Sequence, residues 1–217
     1  METAETQDRF KTVVAVMLAV VTVTGAVVAW RAAVAADEAG NADFAGLAAT
    51  LNAEETSALN TITAYEHYRA FTDYTRYNEL GNAISIDLDS AGADGAQSLE
   101  RQMREAWDLA TEIQGSFFEN RYLDRDGTYD IPRELDELWA DAAQQKDVNP
   151  EPHFARSDAM RAKSTSLIGI LIALGASLVC FTLAGSLESS LRVILAGGGT
   201  LFLIGSLVAL VIVESSV

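Results

Sequence analysis

Three stretches of this chain carry no charged residue: Thr12–Trp30, Ser164–Leu187 and Val193–Val213. Each is about the ~20 residues that a helix needs to cross the hydrocarbon of a bilayer. None has the periodic polar face of a helix lying half in water, so each reads as a spanning helix. The first run makes a poor cleaved signal peptide. Glu2, Glu5 and Asp8 occupy the place of a basic leader, and the apolar run is long for such a segment, so a retained anchor is expected.

Polar sequence fills the space between the first and second runs. From residue 37 to residue 163 there are 26 acidic and 11 basic residues, which accounts for −15 of the net charge of −16. Nucleic acid requires a basic face, and anionic lipid attracts one, so neither is an expected ligand of this region. Only 3 of the 15 basic residues are Lys. That composition suits a salt-adapted source, and an Arg-favouring genome would produce it too. Cys180, the single cysteine, lies in the second run and can form no intrachain disulfide.

The periodicities are helical throughout. No Pro precedes Pro132, so Thr12 to about Leu80 is expected to form one long helix, with Gly40 and Asn41 as the place for a kink. The segment 81–96, rich in Gly, Asp and Ser, reads as a linker. Gln97–Tyr122 carries Leu99, Met103, Ala106, Ala110, Ile113 and Phe117 at four-three spacing, a seam for another helix, with Trp107 widening it. Pro132 opens a short helix ending near Lys146, and a further helix is expected to run from Glu151 into the second apolar run.

The expected fold is therefore all-α: an integral membrane protein with three transmembrane helices and a soluble helical-bundle or coiled-coil domain inserted between the first and second. Its parts are an N-terminal tail (1–11), a first span (12–36), the acidic domain (37–163), a second span (164–187), a tight loop (188–192), a third span (193–213) and a C-terminal tail (214–217). Basic residues flank the spans on both sides, and the expectation leans to a domain outside the cytoplasm.

Candidate sites are few. Intramembrane charge marks ion paths and proton relays, and the three cores carry none, which weighs against a pump. Small residues stand out instead. Thr22, Ala26, Ala29 and Ala33, continued by Ala36 and Gly40, form a stripe at four-three spacing. The third span carries Gly197, Gly198 and Gly199, then Gly205 and Ala209. Such faces let helices approach closely in lipid, within one chain or between subunits.

Tyr65, Tyr68, Phe71, Tyr74 and Tyr77 fall at every third position. A three-residue step turns 300° on an α-helix, so the stripe drifts around it. That suits a helix packed by different neighbours along its length better than a ligand box.

Asp124, Asp126 and Asp130 surround Gly127 and hint at a calcium loop. The register of an EF-hand fails, because Tyr122 falls at position one and Arg133 at position twelve. A polar turn that caps the next helix is the plainer reading. His67 and His153 have no partner at ligand spacing for zinc. No phosphate loop and no nucleophile elbow occurs. No cofactor and no enzymatic activity are expected.

The triplet "DRF", Asp8 to Phe10, before the first span, and Tyr68, Ala70, Glu79 and Leu80 in the aromatic helix, carry a resemblance. In layout and in those residues the chain resembles a family of uncharacterised prokaryotic membrane proteins, known as a domain of unknown function. That resemblance implies one N-terminal span, a helical middle and a closely spaced C-terminal pair, and it implies no activity.

The functional expectation is a self-assembling, homo-oligomeric membrane scaffold with the lipid bilayer and copies of itself as partners. Other membrane proteins are alternative partners, which would make the chain an accessory subunit. A sensor input is a third alternative, although only "ESSV" follows the third span.

Overall fold

The computed structural model describes residues 2–187 and 191–215, and among them the chain is helical almost throughout. Five α-helices follow in order: α1 Glu2–Ser90, α2 Ala93–Phe117, α3 Ile131–Gln145, α4 Glu151–Ser186 and α5 Leu191–Ser215. A single isolated antiparallel bridge, Leu123 to Tyr129, is the only extended pairing among the described residues. Helices α1, α4 and α5 are long and apolar enough to cross a membrane. The tight loop expected at 188–192 falls largely on 188–190, outside the described residues.

The chain divides into two compact units: Met1–Ala48 with Pro150–Val217, and Ala49–Asn149. Helix α1 contributes to both. Its buried positions recur seven apart, at Val14, Val21, Val28, Ala35, Ala42, Ala49 and Thr56, with Ala32 and Ala39 between them. A seven-residue step keeps one face of a helix turned toward a partner.

In the first unit that face meets α4. Ser164 Oγ donates to the Ala32 carbonyl and Ser157 Oγ to the Ala39 carbonyl, each at 3.0 Å. The two serines are seven residues apart and so are their acceptors, in opposite order, so the helices run antiparallel. Small side chains on α1 make this approach possible: no branched residue stands at 32, 35, 39 or 42. Farther along, Val14, Val21 and Val28 join Leu167, Leu174, Phe181 and Leu203 in the core. On the outside of this unit the pattern inverts. Val16, Val23, Trp30, Ile172, Val179, Leu201, Val208 and Val211 are all exposed.

The second unit corrects the linker expected at 81–96. Helix α1 continues to Ser90, and only Ala91 and Gly92 separate it from α2. Gly81, Ile84 and Leu88 repeat at three-four spacing and face inward to different degrees. Gly81 is buried because the Trp107 indole lies on its backbone. A Cβ there would sit 2.3 Å from Trp107 Nε1 and 2.4 Å from Cδ1. The expected seam of α2 holds at Ala106 and Ala110, which are buried, and at Ile113. It ends before Phe117, which is exposed. The chain turns extended at Phe118 (φ −152°), and that ring goes into the core instead.

Gly81 and Gly40 give an opposed pair of expectations. Gly→Ala in a helix gains about 1 kcal/mol from propensity alone. At exposed Gly40, where nothing lies within 4 Å of the new Cβ, that gain should appear as a higher melting temperature. At Gly81 the indole must shift by roughly an ångström, and overpacking of this kind costs about 1–3 kcal/mol. Gly81→Ala should therefore lower the melting temperature read by tryptophan fluorescence. Equal shifts in both variants would remove the Trp107 contact from this account.

Candidate functional site

The most enclosed polar group of the second unit is Glu134, which is 1 % exposed. It stands in the first turn of α3. Pro132 fits that turn because it has no N–H to satisfy, and the Asp130 carboxylate caps it by accepting from the Arg133 amide at 3.0 Å. A carboxylate in the first turn also meets the positive end of the helix dipole. Both Glu134 oxygens have partners. Oε1 is hydrogen-bonded to His67 Nδ1 on α1, and Oε2 accepts from the Tyr129 hydroxyl at 2.9 Å. A buried carboxylate is tolerated on these terms, with every strong acceptor engaged. With Glu134 ionised, both of its oxygens accept, and Nδ1 of His67 then carries the hydrogen.

Aromatic rings close over this node. Tyr129 packs on Phe71 at 5.5 Å between ring centroids, on Phe118 at 6.0 Å, on Tyr122 at 6.1 Å and on Tyr68 at 6.3 Å. Tyr74 meets Phe118 at 5.6 Å. Offset and edge-on pairs of this kind add about 0.5–1.5 kcal/mol each beyond simple burial. The stripe on α1 thus divides: Phe71 and Tyr74 enter the cluster, Tyr68 touches its edge while exposed, Tyr77 is half-buried, and Tyr65 is exposed.

Tyr129 is brought there by a tight return of the chain. Gly127 adopts φ +74°, Gly127 N–H donates to the Asp124 carbonyl, and the Asp130 amide donates to the Tyr122 carbonyl at 2.8 Å. Of the three aspartates of that loop, Asp130 is committed to its cap. Among the described residues no three His, Cys, Asp or Glu groups gather as a metal would need.

Burial, and next the hydrogen bond to Glu134, push the Tyr129 phenol well above the usual tyrosine value. Burial and then the hydrogen bond to Glu137 raise Tyr122 as well, against the opposing pull of Arg121. An unfolded tyrosine titrates near 10. The folded unit therefore keeps protons that the unfolded chain releases above that pH. Stability is fully present below about pH 10 and falls as pH rises beyond it. Circular dichroism melts across pH 8–12 should show a loss confined to the alkaline side, and Tyr129→Phe should flatten it.

The first unit offers a different kind of place. At one end of the three apolar helices Arg31 Nε donates to Glu214 Oε1 at 2.7 Å, and Lys163 Nζ lies 3.0 Å from Glu214 Oε2. These three charges directly border the three uncharged runs, so they mark a common level. The Arg192 guanidinium stacks on the Phe10 ring, 4.9 Å from its centroid, where α5 begins.

Between α4 and α5 a groove of about 430 Å³ is lined by Gly169, Ala173, Phe202, Gly205, Ser206 and Ala209, with others. Of the glycines singled out by spacing, Gly199 lies inside the chain's own α4–α5 contact. Its carbonyl accepts from Ser177 at 2.7 Å, and a Cβ on it would come within 3.2 Å of the Phe181 ring. Gly197 and Gly205 are exposed and Gly198 is half-buried. Thr22, Ala26, Ala29 and Ala33 are all exposed. The α1 face that meets α4 lies one residue away, at Ala32 and Ala35.

The sequence places Glu134 at a helix start and Ser177 and Ser206 among the polar groups of the spans, but shows neither the buried node of Glu134 nor the interhelical role of the serines at 157, 164 and 177. Glu134 and His67 are 67 residues apart and nothing local links them. The serines had a signal: Ser157 and Ser164 repeat seven apart, as do Ala32 and Ala39. No protein-family model, no curated protein and no solved structure matches the chain.

Proposed function

We propose that this protein is a non-enzymatic, three-span membrane protein that assembles laterally with copies of itself into a scaffold. The acidic helical domain, residues 37–163, lies between the first and second spans and outside the cytoplasm, and its long helices form a rim. Three features support the membrane placement. Along the three uncharged runs the large outward residues are Val, Leu and Ile with Trp30 and Phe202, while the buried polar groups are serines turned inward, an arrangement suited to lipid and costly in water. The spans have the right length. Their ends carry Arg31, Lys163 and Glu214 at one level.

One observation carries the assembly reading: Thr22, Ala26, Ala29 and Ala33 form a small-residue face along the first span that the chain's own packing leaves exposed. In lipid such a face gains by meeting another helix closely. Copies bearing two different tags, co-expressed and extracted in mild detergent, should co-purify. Recovery of only the captured tag would contradict self-assembly, and stoichiometric foreign chains in its place would turn the reading to an accessory subunit. A cysteine at Asp126 tests the orientation, since an impermeant thiol reagent should reach it in intact cells.

A further inference from the structure

Four serines are buried in the apolar unit, and three of them do the same thing. Ser157, Ser164 and Ser177 each donate across a helix–helix seam to a carbonyl of a small residue, namely Ala39, Ala32 and Gly199. The fourth, Ser206, is 3 % exposed, and its hydroxyl has no partner among the described residues. It lines the α4–α5 groove, beside Gly205 and Ala209 on its own helix and Gly169 and Ala173 on the facing one. A buried hydroxyl without a partner is disfavoured in a site that water does not reach.

We infer that this groove receives the first span of a second copy, and that the Ser206 side chain rotates about χ1 to turn its hydroxyl from its closed position to a carbonyl of that small-residue face. The occupant must be an apolar helix with small side chains, because only such a helix brings its backbone close enough to a groove floored by Gly and Ala. The chain itself carries that helix. Depth matches as well. Arg31 and Glu214 are paired and so lie at one level. Ser206 stands eight residues inward of Glu214, while Thr22 and Ala26 stand nine and five residues inward of Arg31. At about 1.5 Å per residue the hydroxyl falls between the levels of those two small residues. Copies in one bilayer share their depth and their orientation, so a match within one chain is a match between neighbours. The contact joins unlike faces, α1 to α4–α5, and repeats head to tail from copy to copy.

This inference rests on the self-assembly reading and names its interface. The test uses full-length chains with Cys180→Ala, one carrying Thr22→Cys and the other Gly205→Cys, which stand nine residues inward of Arg31 and of Glu214 and so at one level. Both positions are exposed, and nothing lies within 4 Å of a Cβ at 205, so both cysteines fit the folded chain. Co-expressed and oxidised in native membranes, the pair should give a disulfide-linked dimer, because the Cα atoms of a close contact come within disulfide reach. Neither variant alone should give it, and the double variant should give a ladder. Adding Ser206→Ala should cut the cross-linking yield several-fold with no fall in the melting temperature of the isolated chain.

Co-purifying tags without a 22–205 disulfide would overturn this interface and leave self-assembly standing. Failure of the tags to co-purify would overturn both. An unchanged yield with Ser206→Ala would overturn the part given to the hydroxyl.

Discussion

Replacing Glu134 by alanine is expected to be the most damaging single change in the acidic unit. The substitution leaves the Tyr129 hydroxyl and His67 Nδ1 without their acceptor and opens a cavity beneath four packed rings. Leaving the buried Tyr129 hydroxyl without its acceptor costs about 1–3 kcal/mol, and the cavity adds about 2 kcal/mol or more. In a chain of this size that is a fall of roughly 10 °C or more in melting temperature. Near-ultraviolet circular dichroism of the full chain in detergent should follow it, since the signal comes from the clustered tyrosines. Glu134→Gln keeps the volume and one acceptor oxygen, so its fall should be smaller. Equal, small effects from both would show that the node does not hold α1 to α3.

A second large effect is expected from one of two alanines three residues apart. Ala32 is buried against α4 and its carbonyl accepts from Ser164. Ala32→Leu must push the helices apart, at about 1–3 kcal/mol for overpacking and about 1 kcal/mol more for the interhelical hydrogen bond. Ala29 is exposed. Ala29→Leu should leave the melting temperature alone and weaken the association of copies. The discriminating result is the crossed one: a destabilised fold from residue 32 and a reduced particle mass from residue 29. Loss of fold stability from Ala29→Leu would mean that this face is used within the chain.

The helical character and the three apolar helices were legible because both are local properties. Uncharged runs of bilayer length, Pro132 in a first turn and the absence of Pro before it all act within a few residues. Which face of a helix meets which neighbour was not local. On α1 the stripe Thr22–Ala26–Ala29–Ala33 and the buried series Val28–Ala32–Ala35–Ala39 are both small or apolar and lie side by side, so composition does not choose between them. The choice is made by Ser157 and Ser164, more than a hundred residues away. Gly81 is a similar case. With its Asp- and Ser-rich surroundings it reads as the start of a linker, and its actual reason is the Trp107 ring on α2. Glu134, close behind Pro132, reads as part of a helix start. Only folding brings His67 and Tyr129 to it.

The central claim is that this chain works as an assembly of identical copies. Native mass measurement of the particle extracted in mild detergent tests it most directly. The account predicts a discrete mass that is two or more whole multiples of the 23.2 kDa chain, made of this chain alone. A particle with the mass of a single chain, under conditions where the fold is intact, would contradict it.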